Sequence, residues 1–364
     1  MRPIYLKLHL WLSIPLGIVF ILSCLSGILL IFEPQLTELA HPDVYKVEQR
    51  GNSILNPQSI VEKVKPNLPD SLKIVWVELP ATSNSPALIG FKNFRSKKLS
   101  VDPVTGEIKG WVERTPFFKK VKALHCALLL KSNGRAKERT PGQRIIGYAT
   151  LGTLIVLITG IIAWVPKNKR AWRKRFKISK KNLLYDLHLV AGFYASIVLL
   201  IVCISGLTWS FDWFRTVVYG ACGVRYESKP TGGMHTPSTK MTPISKEELD
   251  LWNKEWSQAK SIYPSSLSIR LLKGEAQVYL NNRNYPTKMD RILFRGDGSV
   301  DKIVRAEEQP KLKKMKALFY SLHVGNFWGM WSKILYAIAL LMGVFLTLTG
   351  YYLWLRRLKR KAVR

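Results

Sequence analysis

The chain is poor in acidic residues and in cysteine. It has 24 Asp and Glu against 56 Lys and Arg, a formal net charge of +32, and four cysteines among 364 residues. None of the cysteines begins a Cys-x-x-Cys-His motif, which excludes haem attached through thioether bonds. No Gly-x-Gly-x-x-Gly motif follows a predicted strand, which argues against a built-in nicotinamide or flavin domain.

Four long apolar runs stand out in a chain whose mean hydropathy is close to zero, +0.02. Each is about twenty residues long and almost free of charge, enough to cross a hydrocarbon core of ~30 Å. The first run could instead be a cleaved signal, because Arg2 and Lys7 precede it and Ile21-Leu22-Ser23-Cys24 resembles a lipoprotein cleavage site. Its length, and the recurrence of the cysteine at Cys203 inside another run, favour a membrane span. The sequence therefore predicts an integral membrane protein.

Basic residues indicate the orientation of the spans. Lys and Arg are concentrated before the first run, between the second and third, and after the fourth. By the positive-inside rule, both termini and the loop at 167–185 are cytoplasmic, and the long segments 34–143 and 210–332 lie outside. Basic residues on both sides of a membrane argue against a nucleic-acid ligand and favour contact with anionic membrane lipid. Apart from Glu33 and Asp186 at their ends, the spans lack the acidic residues that usually line an ion-transport pathway, which argues against transport.

The spans carry a duplicated pattern of histidine and glycine. Two spans begin with a histidine and contain a Ser-Gly pair 17 and 18 residues later; the other two end in a Thr-Gly pair and follow a histidine. In chain order these are His9 with Ser26-Gly27, His125 with Thr159-Gly160, His188 with Ser205-Gly206, and His323 with Thr349-Gly350. The first and third sets are 179 residues apart, which indicates a tandem duplication.

The duplication predicts two pairs of histidines. His9 and His188 lie at the cytoplasmic ends of their spans, and a two-fold axis along the membrane normal brings them opposite each other. His125 and His323 form the equivalent pair at the outer surface. Two imidazoles that face each other across a gap can ligate one haem iron, as in b-type electron-transfer proteins.

The glycines fit the same hypothesis. Gly27 and Gly206 are expected level with the outer pair, and Gly160 and Gly350 level with the inner pair, where a missing side chain leaves room for a flat macrocycle. A single histidine at a membrane edge is more often an interfacial residue, and Ser/Thr-Gly is more often a helix-packing device. The occurrence of four histidines at matched positions of the repeat nevertheless favours a role as haem ligands.

Each long outer segment predicts a helix followed by strands. Helices are expected at 56–68 and at 246–261, the second with a Ser245–Glu248 capping box. Strands are expected at 73–79, 87–94, 98–101, 268–272, 276–280, 290–294 and 300–304.

The helix and strands that close on Val101-Asp102-Pro103-Val104-Thr105-Gly106-Glu107 resemble a PepSY domain. The histidine-led spans that end in Ser/Thr-Gly resemble the PepSY-associated transmembrane family. The resemblance covers essentially the whole chain and is looser in the second outer segment, where Gly296-Asp297-Gly298 replaces the Asp-Pro-x-x-Gly turn. It implies an integral membrane α-helical bundle of four transmembrane helices, built by tandem duplication, with two extracytoplasmic α+β PepSY-like domains.

The resemblance also implies a function, because the family includes iron-regulated membrane proteins and ferric-siderophore reductases. By this analogy the chain is an oxidoreductase of the bacterial inner membrane that holds two b-type haems on His9, His188, His125 and His323. Electrons from a cytoplasmic donor or from quinol pass to a ferric-siderophore or another anionic iron chelate in the periplasm. The alternative is a haem-free membrane anchor whose PepSY domains bind or regulate a peptidase or another extracytoplasmic partner.

The hypothesis divides the chain into ten segments. They are transmembrane helix 1 (1–33), outer domain 1 (34–116), an outer haem-ligand segment (117–143), transmembrane helix 2 (144–166), a basic cytoplasmic loop (167–185), transmembrane helix 3 (186–210), outer domain 2 (211–310), a second outer haem-ligand segment (311–332), transmembrane helix 4 (333–356) and a cytoplasmic tail (357–364). His41 and His235 are expected in loops, and a disulfide between Cys126 and Cys222 is left open.

Overall fold

The computed structural model describes residues 3–48, 53–92, 94, 96–130, 139–166, 172–226, 242–280 and 289–362. The chain divides into two compact units. One contains Met1–Glu33, Phe117–Gly233 and Leu318–Arg364 and holds the long apolar helices; the other contains Pro34–Pro116 and Met234–Ala317 and holds the described strands.

The described α-helices are α1 (Ile4–Ile31), α2 (Glu33–Ala40), α3 (Pro42–Tyr45), α4 (Pro57–Val64), α5 (Pro116–Ala127), α6 (Pro141–Trp164), α7 (Trp172–Arg175), α8 (Leu183–Ser210), α9 (Asp212–Ala221), α10 (Lys246–Ile262), α11 (Lys311–Val324) and α12 (Met330–Ala362). Short 3₁₀ helices lie at Lys65–Asn67, Lys180–Asn182 and Ala306–Glu308.

Helices α1, α6, α8 and α12 are long and apolar enough to cross a membrane, as predicted for these four segments. The start of α6 illustrates how the sequence fixes a boundary. Thr140 accepts a hydrogen bond from the backbone N–H of Gln143, whose side chain accepts one from the N–H of Thr140, and Pro141 occupies the first helical position.

The four long helices pack in the cyclic order α1, α6, α8, α12. Consequently α1 and α8, the two copies of the histidine-first span, lie at opposite corners of the bundle. Cys24 of α1, Leu199 of α8 and Leu340 of α12 belong to one buried apolar cluster. The duplicated helices therefore share a core.

The second outer domain begins later than the predicted residue 211. Helix α9 packs against α8 and belongs to the helical unit. Trp213 and Val217, one turn apart, are 56% and 62% exposed. An apolar stripe on a short helix that directly follows a span is typical of a helix lying on a membrane surface.

The strands form one antiparallel sheet. They are β1 (Ile74–Pro80), β2 (Ala87–Phe91), β3 (Lys97–Val101), β4 (Ile108–Glu113), β5 (Ser268–Leu272), β6 (Glu275–Tyr279), β7 (Met289–Phe294) and β8 (Val300–Val304). Their order across the sheet is β4-β3-β2-β1-β5-β6-β7-β8. Helices α4 and α10 contribute Ile60, Val64 and Trp252 to a core that includes Val77 and Leu271.

The two outer segments, predicted as separate domains, share this single sheet. β1 pairs with β5, with Val77 opposite Leu271. Glu78 of β1 accepts hydrogen bonds from Ser268 Oγ and from Arg270 Nη2, both at 2.8 Å. Each half thus covers an edge strand that the other half would expose.

The buried carboxyl group of Glu255 in α10 should make the stability of this core depend on pH. It is 3% exposed, and its Oε2 accepts no hydrogen bond from any described residue. Burial, followed by repulsion from Glu248, raises the pKa of Glu255 to about 7. Because the pKa is higher in the folded state, the folded state holds the proton more tightly, and stability should fall as pH rises from about 4.5 to about 7.

Between these two pH values, we expect the free energy of unfolding of the wild type to fall by up to about 3 kcal/mol. In Glu255→Gln this pH dependence should vanish. Hydrogen exchange of the α10 amides in the full chain, corrected for intrinsic exchange rates, measures it. An identical pH dependence in the variant would contradict the assignment to Glu255.

Candidate functional site

His125 lies near the end of α5 and packs its imidazole against α1. Its Nδ1 is 3.0 Å from Ser26 Oγ and 3.1 Å from the carbonyl oxygen of Ser23. A Cβ placed on Gly27 would lie 3.4 Å from Cε1 of the ring. The Ser-Gly pair of α1 therefore seats this histidine.

His323 is held in the same way near the end of α11, against α8. Its Nδ1 is 3.2 Å from Ser205 Oγ and 3.2 Å from the carbonyl oxygen of Val202. A Cβ on Gly206 would lie 3.1 Å from its Cε1. The ring of Trp209 meets the imidazole edge-on, with centroids 5.1 Å apart.

His9 of α1 is seated on α6. Its Nδ1 is 2.9 Å from the carbonyl oxygen of Val156 and 3.5 Å from Thr159 Oγ1. A Cβ on Gly160 would lie 3.0 Å from its Cε1, which is close enough to force the ring to move.

His188 of α8 is seated on α12 by fewer contacts. Its Nδ1 is 2.8 Å from Thr349 Oγ1, and no carbonyl of a described residue accepts a hydrogen bond from it. Gly350 lies beside the ring, with its Cβ position 3.7 Å from Cε1.

These hydrogen bonds fix the tautomer of all four histidines. Each hydroxyl donates its own proton to the carbonyl oxygen four residues earlier in its helix, for example Ser26 to Leu22 at 2.6 Å. The others are Ser205 to Ile201, Thr159 to Ile155 and Thr349 to Phe345. The hydroxyl oxygen can then only accept, so Nδ1 carries a proton, and in the neutral ring Nε2 keeps its lone pair. An imidazole oriented in this way is prepared to bind a metal through Nε2.

The outer histidines face each other. The ring centroids of His125 and His323 are 6.2 Å apart, and the planes are inclined by 57°. Two imidazoles on opposite sides of one metal, with bonds of about 2 Å, place their centroids about 6 to 6.5 Å apart. Burial lowers the pKa of His125, and burial with repulsion from His125 lowers that of His323 to about 4, so both rings are neutral.

The inner histidines lie on the two copies of the histidine-first span. His9 is on α1 and His188 on α8, at opposite corners of the bundle. The described part of the chain contains no group of three or more His, Cys, Asp or Glu side chains that could hold a bare metal ion. Each pair thus offers two imidazole nitrogens, a donor set that a haem iron can accept.

Each of the four glycines lies at the histidine that the sequence assigned to the same level. We predicted that the glycines leave room for a macrocycle, and in the structure each lies beside the edge of an imidazole ring. Sequence reasoning missed that Ser26, Ser205, Thr159 and Thr349 hold Nδ1. Their repetition before all four glycines was the pattern that could have shown it.

The remaining candidates lie apart from these pairs. His41 precedes α3 as its N-cap residue, and His235 lies outside the described residues. Cys126 and Cys222 are both exposed, and no disulfide joins them.

Comparison with known proteins adds one match. A family model described as "PepSY-associated TM region" matches residues 6–357. No curated protein matches the chain.

Proposed function

Because the chain belongs to the family of PepSY-associated TM regions, we propose that it is a membrane-bound di-haem b electron-transfer protein that reduces ferric iron outside the cytoplasm. His9 and His188 would hold one haem, and His125 and His323 the other. We place the protein in a bacterial inner membrane, with both termini cytoplasmic and the sheet unit in the periplasm, on the basis of the distribution of Lys and Arg.

The observation that carries the proposal is the outer pair. Two neutral imidazoles at a centroid distance of 6.2 Å, each with its proton fixed on Nδ1, match the requirements for two axial ligands of one iron. A packing role alone would not require that four histidines each have a hydroxyl partner and a neighbouring glycine.

The residues of the chain orient and tune the ligands. Each Nδ1–H donates to a hydroxyl or a carbonyl oxygen, which makes the imidazole a stronger base at Nε2 and favours the ferric state. Each glycine admits the Cε1 edge and so sets the rotation of the ring. A haem held by these histidines would supply one-electron transfer.

The proposed electron path runs from the inner histidine pair to the outer one. A one-electron cytoplasmic donor would reduce one Fe(III), held by a siderophore or another anionic chelate on the opposite side, to Fe(II). A quinol, which loses two electrons and two protons to become a quinone, would reduce two. Lysines that flank the outer histidines, Lys119, Lys120, Lys122, Lys311, Lys313, Lys314 and Lys316, would attract an anionic chelate.

Electron transfer across a vesicle membrane, from inside to outside, tests this function. The full chain, loaded with haem, is reconstituted in liposomes with dithionite trapped inside and a ferric hydroxamate siderophore with a coloured Fe(II) chelator outside. We expect Fe(II) to form outside the wild-type vesicles and not outside vesicles with His323→Ala. An equal rate of Fe(II) formation outside vesicles that contain dithionite but no protein would contradict the proposal.

The two inner histidines predict unequal effects of matched threonine substitutions. Among the described residues, Thr349 is the one hydrogen-bond partner of His188 Nδ1, whereas His9 Nδ1 also has the carbonyl oxygen of Val156 at 2.9 Å. Thr349→Val should therefore weaken binding of the inner haem about 10- to 100-fold and raise its reduction potential, while Thr159→Val should change either value little.

Haem titration of the apoprotein and a redox titration of the loaded protein measure these effects. Equal losses in Thr349→Val and Thr159→Val would show that the hydroxyls act through packing and not through Nδ1.

A further inference from the structure

The connection between α11 and α12 folds back onto the first turns of α12. Gly325 has a φ of 64°, and its Cβ position lies 2.7 Å from Cγ of Tyr336. The ring of Phe327 meets that of Tyr336 with centroids 5.8 Å apart. Asn326 lies between Gly325 and Phe327 in sequence, and both of these contact Tyr336, so the connection holds Asn326 near Tyr336.

This region buries polar groups that find no partner in the described part of the chain. Tyr336 is 1% exposed and Asn326 5%, and neither the Tyr336 hydroxyl nor Asn326 Oδ1 forms a hydrogen bond to a described residue. Buried polar groups in native proteins are normally satisfied, so such atoms point to a ligand or to water. The two ends of an amide can exchange by rotation, so Asn326 can also present its N–H groups.

A buried positive charge lies on the same face of α12. Lys333 is 5% exposed and precedes Tyr336 by three residues, which places both on one side of the helix. An ammonium group, a phenolic O–H and an amide together favour an anion, and a planar carboxylate can accept hydrogen bonds from all three.

The cluster lies beside the outer histidine pair. Leu340, one turn beyond Tyr336 on the same face, has its Cδ1 3.7 Å from the Cβ position of Gly27, against which His125 packs. His323 precedes Asn326 by three residues at the end of α11. Tyr336 and Lys333 are about 6 Å and 10 Å from Leu340 along the helix axis, toward the start of α12.

We infer that Tyr336, Asn326 and Lys333 bind a carboxylate of the haem held by His125 and His323. The inference rests on the proposed function and adds to it the residues that orient this haem. Protoporphyrin carries two carboxylates on one edge, and the cluster lies to one side of the histidine pair. The repeat positions in α6, Gln143 and Ile146, lack both the charge and the hydroxyl, so the anchor exists in one half only.

The test uses the full chain with His9→Ala, which leaves the outer pair as the one complete pair. Apoprotein is titrated with haem and with haem dimethyl ester, whose carboxylates are blocked, and the Soret absorbance is followed. We expect haem to bind about 10- to 100-fold more tightly than the ester, and Tyr336→Phe to weaken haem binding roughly tenfold while leaving ester binding unchanged.

Thermal unfolding of the apoprotein separates ligand binding from structure. Tyr336→Phe removes a buried hydroxyl that has no partner, so its midpoint should equal or exceed that of the parent. Tyr352→Phe, the same change at an exposed position of the same helix, should alter neither titration.

Four results would overturn the inference. Equal affinity for haem and ester, or haem binding in Tyr336→Phe as tight as in the parent, removes the carboxylate contact while leaving the haem proposal intact. A lower unfolding midpoint of the Tyr336→Phe apoprotein assigns the hydroxyl to folding. Absence of haem binding in the wild type removes the proposed function itself.

Discussion

Replacing His323 with alanine is expected to remove one of the two haems and about half of the low-spin b-type absorbance of the purified chain. The outer iron would lose one of its two histidine ligands. Only His125, whose ring centroid is 6.2 Å from that of His323, would remain, so haem binding weakens and any haem that stays is no longer low-spin. His125→Ala should give the same loss. The haem content per chain, measured as the pyridine complex, is the readout.

The inner pair supplies the complementary experiment. His9→Ala or His188→Ala should remove the other haem, so that a double variant with one change in each pair is haem-free. His41→Ala, at the N-cap of a short helix, is the matched control and should retain both haems. Full haem content in all four single variants would exclude these histidines as ligands.

Replacing Gly142 with alanine is expected to disrupt the outer pair without touching a histidine. A Cβ at this position of α6 would lie 1.8 Å from the carbonyl oxygen of Ala127. The obstacle is backbone and cannot rotate away, so α5 must shift, and His125 lies two residues earlier on that helix. We expect a loss of about 4 kcal/mol or more, in the range of exceptional single substitutions, with selective loss of the outer haem.

Thermal unfolding and haem content of the variant measure the effect. Gly192→Ala is the control, because its Cβ would meet Leu346 at 3.5 Å, an ordinary contact. If Gly142→Ala kept both haems and its melting temperature, α5 would not be held in place by this contact.

Much of the architecture could be predicted from local pattern. The long uncharged runs predicted α1, α6, α8 and α12, and the alternation of side chains predicted β5 at Ser268–Leu272 and β8 at Val300–Val304 to the residue. Ser245 and Glu248 predicted the start of α10, where the structure has a capping box. Such features depend on residues that are neighbours in the sequence.

Features that depend on distant residues were not predictable. Nothing in β1 or β5 alone shows that they pair, because the join requires Glu78 to meet Ser268 and Arg270, about 190 positions later. The left-handed conformation of Leu128 and Leu129, with φ of 49° and 61°, is unusual for leucine and was likewise not predicted.

The candidate site shows the same division. The repeat predicted that His125 and His323 form a pair, and their rings face each other in the structure. It did not show that, among the described residues, only Thr349 forms a hydrogen bond with His188 Nδ1 while a carbonyl oxygen also lies close to His9 Nδ1. That difference depends on the local packing of α8 on α12 and of α1 on α6.

The most direct measurement is the dithionite-reduced minus oxidised absorption spectrum of the purified full-length chain, together with its haem content. Two b-type haems per chain with the sharp bands of low-spin iron are the predicted result. A chain isolated from haem-replete cells without bound haem, or with high-spin haem that retains an open axial position, would contradict the pairing of His9 with His188 and of His125 with His323.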